Sequence, residues 1–540
     1  MIVTFQPIGR KQEAFLGDNL LQVAEKASIL IDANCTGKGI CGNCKIRILA
    51  GEAGPLDKIE REFLTDNEIK CGWRLACRVK VIDNLIVQIP NLHKGVDRKK
   101  DLFWLPKDFL PDQYLFQEEE NGYGIAFDIG TTTVVGMLWD LKNGTLINTV
   151  ARTNPQSIYG GDIISRIMFC SQKDGNLQLM QEMILNCLND IVNQLIQRNK
   201  INTDDIQEVT IAGNTTMSHL LLNIDPSTLA KAPFKPNFYG PISINAEALD
   251  LAIYPEALIH ILPNIEGHVG SDITAVLLAS GLRDLDGANL AIDVGTNGEI
   301  LLAYKGKVLT CSTAAGPAFE GASISRGMRA AKGAIEAVKI CNGVVELSII
   351  DDNIPVGICG SGLIDSISEM LSTGIISKTG KLINNEEAKK IELPEEIIKR
   401  LHKSKNGDEF VLYRREKDED ITINQKDIRE VQLAKGAISA GITLLMKELN
   451  INVEDLNHIF LAGAFGNYIN KKSALKIGLL PKVSEEKVVS IGNAAGVGTC
   501  MALLSKTARE HSYNLAKETK HVELADHPDF QETFLQAMYF

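Results

Sequence analysis

Three cysteines near the start of the chain have the spacing of iron–sulfur ligands. Cys35, Cys41 and Cys44 lie in the stretch CTGKGICGNC, which also contains three glycines. Glycine lets the backbone fold closely over inorganic sulfide and direct its N–H groups at it. A fourth thiolate must come from elsewhere, and CGWRLAC offers Cys71 and Cys77. We predict Cys77 as the fourth ligand, because it follows RLA and directly precedes the strand-like RVKVI; Cys71 is the alternative.

Structural zinc is the alternative occupant of such a cysteine set. Zinc sites normally combine two Cys-x2–4-Cys pairs, whereas here an interval of five residues is followed by one of two. Five of the eleven cysteines lie between positions 35 and 77, and the other six are scattered singly. In a reducing compartment this pattern favours a metal site over a disulfide framework.

Two carboxylates further along the chain each end a predicted buried strand and precede glycine and threonine. Asp128 lies in FDIGTTT, and Asp293 lies in AIDVGTNGE, which also contains Glu299. A tight glycine turn presents N–H groups and threonine hydroxyls to phosphate oxygens, and the aspartate can hold Mg²⁺ beside them. We therefore predict Asp128, Asp293 and Glu299 as catalytic. The residues predicted to bind the nucleotide are Gly130, Thr131, Thr132, Gly295, Thr296, Gly298, Gly360, Gly463 and Gly466.

The last three of these glycines come from two further stretches. LAGAFG, at positions 461–466, places small residues where an adenosine could lie against the backbone. CGSGLID, at positions 359–365, could wrap a phosphate at a helix N-terminus. The chain has no Gly-x4-Gly-Lys-Ser/Thr loop, and no Gly-x-Gly-x-x-Gly follows a predicted strand. One Asp-Xaa-Gly-Thr turn is weak evidence, but two in corresponding positions are much stronger.

Four other charged side chains allow both a chemical and a structural interpretation. Glu320 and Arg326, in AGPAFEGASISRGMRA, are either catalytic or an internal ion pair. Asp162 and Asp272 are either water-orienting bases or helix N-caps. The sequence does not separate these alternatives.

The elements that would position these residues occur twice. From position 123, three strands are followed by helices and the buried strand EVTIAGN; from position 288, three strands recur and HIFLAGAFGN takes the later position. A duplicated β-β-β-α-β-α lobe is the economical interpretation. The segment of about 377–428 carries interspersed charges of both signs, so we expect a solvated addition of exposed helix and hairpin.

Length and composition set the domain plan. A chain of 540 residues exceeds a single core. We predict a first domain at 1–92, a linker at 93–122 that packs in places, a first lobe at 123–285 and a second lobe at 286–540. The net charge of −12 argues against a nucleic-acid partner. No signal peptide or membrane-length apolar run is found, so we expect a cytoplasmic protein without a membrane partner.

Residues 1–90 resemble a [2Fe–2S] ferredoxin with adrenodoxin-like spacing, including RLAC at the fourth ligand. This resemblance implies that Cys71 is an extra thiol beside the cluster, a small buried hydrophobe. The two aspartate loops and LAGAFG resemble the phosphate-1, phosphate-2 and adenosine motifs of the acetate and sugar kinase/Hsc70/actin superfamily. These resemblances imply an α/β multidomain protein, with an N-terminal β-grasp ferredoxin-like domain and two ribonuclease-H-like lobes. Over its full length the chain resembles the reductive activators of corrinoid-dependent enzymes. The further motifs that carry this resemblance are AGNTTMSHLLL, PNIEGHVGSDITA, GPAFEGA, CGSGLID, QLAKGAISAGI and ELADHPDFQETFLQAMYF.

This resemblance implies an ATP-hydrolysing reductive activase. A [2Fe–2S] cluster would pass a low-potential electron to a partner corrinoid protein of a methyltransferase system and reduce Co(II) to Co(I). The implied cofactors are the cluster, ATP and Mg²⁺, and the implied electron donor is a flavoprotein or a ferredoxin. The chain lacks Asp-x-His-x2-Gly, so the corrinoid would belong to the partner. A homodimer is one candidate assembly.

Three other functions are alternatives. The first is an ATP-dependent activator of another low-potential enzyme, although the separate ferredoxin domain speaks against it. The second is a small-molecule kinase with an appended redox domain, which would yield a phosphorylated product. The third is a redox-sensing interaction protein that binds ATP without turnover.

Overall fold

The computed structural model divides the chain into two compact units, Met1–Asp101 and Leu102–Phe540. The residues that the structure describes are 1–6, 10–27, 44–64, 66–88, 105–106, 109–112, 122–295, 297–321, 323–352, 354–404, 407–415, 419–466 and 468–540. Cys35, Cys41 and Thr296, three of the predicted site residues, therefore lie outside the described residues.

The first unit is a mixed five-stranded sheet with short helices. Its described elements are β1 (Ile2–Gln6), β2 (Arg10–Glu13), α1 (Leu20–Lys26), β3 (Lys45–Ala50), α2 (Lys58–Phe63), α3 (Asp66–Lys70), β4 (Trp73–Leu75) and β5 (Leu85–Gln88). The strand order is β2-β1-β5-β3-β4. Within this described sheet the β1–β5 pair is parallel, and the other three pairs are antiparallel. This is the β-grasp arrangement, and the predicted fold class of this unit is confirmed.

The described residues of the second unit form two six-stranded and two three-stranded sheets. Its described strands are β6 (Tyr123–Ile129), β7 (Thr133–Asp140), β8 (Thr145–Thr153), β9 (Ile206–Gly213), β10 (Ile242–Asn245), β11 (Leu258–Ile261), β12 (Ala288–Val294), β13 (Gly298–Tyr304), β14 (Lys307–Thr313), β15 (Ala334–Cys341), β16 (Val344–Ile349), β17 (Gly357–Ile358), β18 (Leu401–Ser404), β19 (Gly407–Tyr413), β20 (Ile421–Asn424), β21 (Leu456–Ala462), β22 (Val488–Gly492) and β23 (Lys520–His521).

Helices cover and connect these sheets. The described helices of the second unit are α4 (Ile163–Gln172), α5 (Asn176–Asn199), α6 (Thr215–Leu221), α7 (Ser271–Ser280), α8 (Gly360–Ser372), α9 (Asn385–Lys390), α10 (Glu395–Ile398), α11 (Gln425–Glu448), α12 (Gly463–Gly466), α13 (Lys471–Lys476), α14 (Ala494–Leu504), α15 (Lys506–Glu518) and α16 (Phe530–Ala537). Among the residues that the structure describes, no helix is long and apolar enough to cross a membrane.

The two large sheets repeat one topology. Their orders are β10-β11-β9-β6-β7-β8 and β22-β21-β12-β13-β14-β23. In each, the central strand pairs antiparallel with the next strand in sequence and parallel with a later one. The central strands β6 and β12 are almost continuously apolar and buried, as expected for strands covered on both faces. The predicted duplicated lobe is confirmed.

Helices α7 and α14 pack against each other, and α14 also packs on β6 and β9 of the first lobe. Their approach is close: a Cβ added to Gly498 would lie 1.9 Å from the carbonyl oxygen of Ala275. A larger residue at Gly498 would push the two helices apart. Although α14 follows β22 of the second lobe in the chain, it thus also packs on the sheet of the first.

The charged segment of about 377–428 forms helices and an antiparallel hairpin as predicted, but the expectation that it is a solvated addition is wrong for its apolar side chains. It forms α9, α10 and the antiparallel sheet β18-β19-β20. Phe410, Ile421 and Ile423 of this sheet are fully buried in the core cluster of the second lobe. The charges alternate with apolar residues that face inward, and this pattern is hidden when only the net composition is considered.

The described part of the predicted linker packs on the second unit. Leu105 and Phe109 lie against its core. The carboxylate of Asp112 accepts hydrogen bonds from the Ser505 hydroxyl at 3.0 Å and the Thr507 N–H at 3.2 Å. These contacts hold residues 105–106 and 109–112 on the second unit, with Asp112 at the start of α15.

Candidate nucleotide cleft and cluster site

Asp128 and Asp293 occupy equivalent positions in the two lobes. Each is the penultimate residue of the central strand, in β6 and β12 respectively. Asp128 lies beside Ala212 of β9, and Asp293 lies beside Ala462 of β21. Glu299 is the cross-strand partner of Asp293. The structure therefore brings the three predicted catalytic carboxylates to the corresponding ends of the two sheets.

A fourth carboxylate, Asp272 in the first turn of α7, joins this group. Burial raises the pKa of Asp128 to about 6. Burial and then the charge of Asp128 raise the pKa of Asp293 to about 7. Burial and then the charge of Asp293 raise the pKa of Asp272 to about 7. The pKa of Glu299 is raised by burial and by the charges of Asp272 and Asp293. We call these four residues the acidic cluster.

The acidic cluster does not form a complete metal cage. Within the described residues, no three His, Cys, Asp or Glu side chains lie close enough to hold a metal ion among themselves. Magnesium commonly takes one or two carboxylates and completes its octahedron with water and phosphate oxygens. The cluster could therefore hold a cation only together with such oxygens, which is the arrangement that a nucleotide supplies.

A tight turn follows each of the two strand-end aspartates. The Gly130 N–H donates to the Thr133 carbonyl at 3.0 Å, and the Gly295 N–H donates to the Asn297 carbonyl at 3.0 Å. The hydroxyl of Thr131 accepts from the Asn214 amide at 2.9 Å. Counted between the paired strand residues, Ile129 with Val134 and Val294 with Gly298, the second turn is one residue shorter than the first.

Two buried side chains donate hydrogen bonds to the backbone carbonyls of the first turn. The Asn154 amide donates to the Gly130 carbonyl at 2.9 Å, and its backbone N–H donates to the Thr132 carbonyl at 2.8 Å. The guanidinium of Arg166 is fully buried and donates to the carbonyls of Thr131 and Gly160. Burial lowers the pKa of Arg166 to about 10, so it remains a cation behind the turn. Sequence reasoning missed both residues, since no motif marks them.

The alternatives for Asp162 and Asp272 are now separated. Asp162 is the N-cap of α4, and its carboxylate accepts from the Ser165 N–H at 2.8 Å. Asp272 is not an N-cap, because Gly270 takes that position in α7. Its carboxylate belongs to the acidic cluster instead. The two sequences look alike, and only the start of each helix distinguishes them.

The predicted adenosine stretch meets the acidic cluster at Gly463. This residue has a φ of +82°, and a Cβ there would lie 2.4 Å from Oδ1 of Asp293. Only glycine therefore fits beside this carboxylate without strain. Gly466 ends the same helical turn, α12. Gly360 is the first residue of α8 and is buried. Arg326 forms an ion pair with Glu419 of the charged segment.

In the first unit, a backbone hydrogen bond joins the segments that carry two of the predicted cluster ligands. Cys44 and Cys77 are both buried in its core. The N–H of Ala76, the neighbour of Cys77, donates to the Cys44 carbonyl at 2.8 Å. Because adjacent backbones bring the two thiols into the same region, the residues present fit a shared metal group.

Cys71 lies at the opposite end of β4. Its carbonyl accepts from Nε of Arg47 at 2.8 Å, next to the Arg47–Trp73 pair. A strand rises about 3.3 Å per residue, so Cys71 is separated from Cys77 by the whole length of β4. Cys71 is also exposed. The interpretation of Cys71 as a small buried hydrophobe beside the cluster is wrong.

A buried ion pair fixes the backbone that leads to Cys77. Arg74 donates to both carboxylate oxygens of Glu60 at 2.8 Å, and Glu60 also accepts from the Leu75 N–H at 3.1 Å. The remaining Arg74 donors reach the carbonyls of residues 53–55. A bidentate pair with every group satisfied gives strong positional specificity. The arginine of RLAC thus anchors β4, a role that its sequence did not reveal.

Comparison with known families divides the chain into three matched regions. Residues 3–81 match the 2Fe-2S iron-sulfur cluster binding domain. Residues 123–285 match the RACo middle region, and residues 287–540 match the C-terminal domain of RACo, the ASKHA domain. The first match supports a [2Fe–2S] cluster in this protein, and the last supports ATP binding.

Individual relatives agree with these matches. The chain is 40% identical over 437 residues to the corrinoid activation enzyme RamQ of Eubacterium limosum, covering 80% of this chain and 72% of the relative. It is 25% identical over 448 residues to the [Co(II) methylated amine-specific corrinoid protein] reductase of Methanosarcina barkeri, covering 76% of each. The solved structure of a reductive activator for corrinoid, iron–sulfur protein superposes with a TM-score of 0.70 at 29% identity, over 100% of this chain and 98% of that one. The chain belongs to the family of corrinoid activation enzymes.

Proposed function

We propose that this chain restores an oxidised partner corrinoid protein to activity by reducing its cobalt from Co(II) to Co(I) in an ATP-dependent reaction. It is a reductive activase, and its substrate is the Co(II) state of the partner. The observation that carries the proposal is one chain with both a ferredoxin-like unit and a duplicated-lobe unit whose sheets end in a shared acidic cluster.

The division of labour follows from the two units. When bound, the [2Fe–2S] cluster supplies one-electron transfer, at a potential near roughly −400 mV for plant-type ferredoxins. We propose Cys35, Cys41, Cys44 and Cys77 as its ligands. Each 59 mV by which the potential of the cluster lies above that of the Co(II)/Co(I) couple costs about tenfold in a one-electron equilibrium. The second unit therefore has to supply free energy, which requires conformational states that differ in their affinity for ATP and for the partner.

The geometry suggests roles for the acidic cluster, the two glycine turns and Gly463. We propose that Asp128 and Asp293 hold Mg²⁺ with the help of water and the nucleotide phosphates, and that the two glycine turns contact those phosphates. Asp272 is the proposed water-orienting base, because its raised pKa lies near neutrality. Glu299, beside Asp293, orients the cation's water shell. Gly463 leaves room for the adenosine next to Asp293.

Three further features belong to the proposal. The electron donor is a flavoprotein or a ferredoxin, and the active assembly is a homodimer. The domain boundaries are 1–92 for the ferredoxin domain, 93–122 for the linker, 123–285 for the first lobe and 286–540 for the second. Electron transfer from purified donors would test the first feature, and analytical ultracentrifugation would test the second.

The decisive experiment is the reduction of a Co(II) corrinoid protein under anaerobic conditions. The absorbance of the cobalt centre is recorded during the reaction. We expect Co(I) to form with reductant, MgATP and this chain, and to form slowly or not at all without ATP. Several corrinoid proteins should be tried, because the partner is the least constrained part. Equal reduction with and without ATP would contradict the proposal. A phosphorylated small molecule in place of phosphate would favour a kinase.

Replacing Arg166 with methionine should weaken catalysis at the first turn. The change removes a cation and the hydrogen bonds that hold Thr131 and Gly160. Charged hydrogen bonds contribute about 1.5–3 kcal/mol, so kcat/KM for MgATP should fall roughly 10- to 100-fold. Steady-state ATPase assays of the full chain provide the measurement.

Two variants control this prediction. Arg166→Lys keeps the charge but not the planar fork of donors, and should recover only part of the activity. Arg152→Met removes a partly exposed arginine whose guanidinium donates to the neighbouring Ala151 carbonyl, and should have no effect. A folded Arg166→Met protein with full activity would show that the turn does not need this support.

A further inference from the structure

Among the described residues, three cations line a cavity of the second lobe. The cavity has a volume of about 560 Å³, and its lining residues are Gly343, Val344, Glu396, Lys399, Arg400 and Arg414. None of them belongs to the predicted nucleotide site or cluster site. Small-molecule sites occupy roughly 300–1,000 Å³, so the size of this cavity fits a small ligand rather than the face of another protein.

The walls of the cavity come from three elements that approach closely. Gly343 lies in the turn between β15 and β16 with a φ of +83°, and a Cβ there would lie 3.0 Å from the Cβ of Pro394. Pro394 is the N-cap of α10, and Lys399 is its C-cap. Arg414 directly follows β19. A hairpin turn, a short helix and a strand end therefore meet at this cavity.

The two arginines of the cavity hold each other's backbone. Nη1 of Arg400 donates to the carbonyls of Val411 and Leu412 at 3.0 and 3.1 Å. Nη2 of Arg414 donates to the Lys399 carbonyl at 2.7 Å. A guanidinium has five N–H donors, so each arginine keeps donors for a ligand. Because backbone contacts already fix both side chains, a ligand would not have to order them.

The positive charges of the cavity are not neutralised by the described part of the protein. No ion pair between described residues includes Lys399, Arg400 or Arg414. Burial and then the charge of Arg414 lower the pKa of Arg400. Like charges held together raise the free energy of the folded chain, and an anion placed between them would offset that cost.

We propose that this cavity is a binding site for a small oxyanion, a molecule that carries a phosphate or a carboxylate group. The fork of donors on a guanidinium matches two oxygens of either group. The whole chain carries a net charge of −12, so the attraction comes from the local cations and not from the overall field. Glu396 also lines the cavity, and its charge opposes the ligand and limits the affinity.

Isothermal titration calorimetry of the full chain with inorganic phosphate, at constant ionic strength and with saturating MgADP, tests this site. We expect a phosphate that Arg400→Met and Arg414→Met each bind about tenfold or more weakly, because a charged hydrogen-bond donor is lost. The same titration with succinate distinguishes the two chemical groups, since the tighter ligand identifies the group that the site prefers.

Two exposed residues keep the test informative if an arginine variant fails to fold. Neither Lys399 nor Glu396 is buried. Lys399→Met should weaken phosphate binding about two- to fivefold, and Glu396→Gln should strengthen it by about the same factor. Opposite effects of two single-charge changes would not arise from a general loss of structure.

The matched control is Arg198→Met, which removes an exposed arginine near the end of α5. It should leave phosphate binding unchanged. Binding that is the same in the native protein and in the Arg400, Lys399 and Glu396 variants would overturn the proposal, as would the absence of any binding of phosphate and succinate. The titration involves neither ATP turnover nor cobalt, so its outcome does not depend on the proposed function.

Discussion

Replacing Asp293 with asparagine is expected to abolish ATP hydrolysis and, at pH 8, to make the second unit more stable. The loss of activity follows from the proposed cation site, where a carboxylate is exchanged for a neutral amide. Metal-assisted charge stabilisation contributes several kcal/mol, so kcat/KM should fall roughly 10²- to 10³-fold. The iron and sulfide content should not change, because Asp293 lies in the other unit.

The gain in stability follows from the raised pKa of Asp293. Its pKa is about 7 in the folded protein, against an ordinary value of 3.8 for an aspartate. Between these values the folded state binds more protons than the unfolded state, so stability falls as pH rises through this window. Above the folded pKa, the raised pKa of Asp293 is a penalty on the free energy of folding. Below about pH 4 the carboxyl group is protonated in both states, and this penalty vanishes. Asparagine removes the penalty, which is fully present above pH 7.

The magnitude is bounded by the difference between the folded and the ordinary pKa of Asp293. A pKa difference of about three corresponds to about 4 kcal/mol, and solvent access to a half-buried side chain reduces this. We expect a gain on the order of 2 kcal/mol at pH 8 and little gain near pH 4. Chemical denaturation of the full chain at both pH values measures it.

Asp427 provides a matched control. It is also a buried aspartate with a raised pKa, but its carboxylate accepts from the N–H groups of Ser325 and Asn424 at 2.8 and 3.1 Å. Asp427→Asn should therefore destabilise the protein, because one amide end cannot accept. If Asp293→Asn were equally destabilised at pH 8, the carboxylates would not repel one another as inferred.

Replacing Cys77 with serine is expected to remove most of the iron and acid-labile sulfide, whereas Cys71→Ser should retain two irons and two sulfides per chain. Cys77 is buried, and the N–H of its neighbour Ala76 donates a hydrogen bond to the Cys44 carbonyl. Cys71, in contrast, is exposed at the far end of β4. Serine is a poor replacement for a thiolate ligand, and the metal-binding free energy is partly folding free energy.

Anaerobic iron and sulfide analysis with visible spectroscopy measures this outcome. Cys71→Ser serves as the matched control, because it makes the same change on the other side of the RLA segment. Cys35→Ser, Cys41→Ser and Cys44→Ser should behave like Cys77→Ser. Stoichiometric zinc without labile sulfide in the native protein would rule out the iron–sulfur assignment. Loss of the cluster in Cys71→Ser alone would exchange the roles of the two cysteines.

The sequence by itself determined the architecture. Strands such as β6 and β12 are apolar runs that end in Asp-Xaa-Gly, and this local pattern specifies both a buried strand and the turn that ends it. Its recurrence 165 residues later therefore implied a second lobe of the same topology, as the two sheet orders confirm. The cysteine spacing was equally local, and it identified the ferredoxin-like unit.

Only the tertiary structure decided which side chains meet at and around the acidic cluster. Asp162 and Asp272 precede or begin helices in similar sequences, yet one caps its helix and the other joins the acidic cluster. The Arg166 guanidinium and the Asn493 amide donate to Thr131 and Asp128, which lie 35 and 365 positions away. The physical reason is that local propensity sets where a helix or strand begins, whereas contacts between elements depend on how α14 and α7 pack between the lobes. A pKa of about 7 for an aspartate likewise arises from neighbours that only packing brings together.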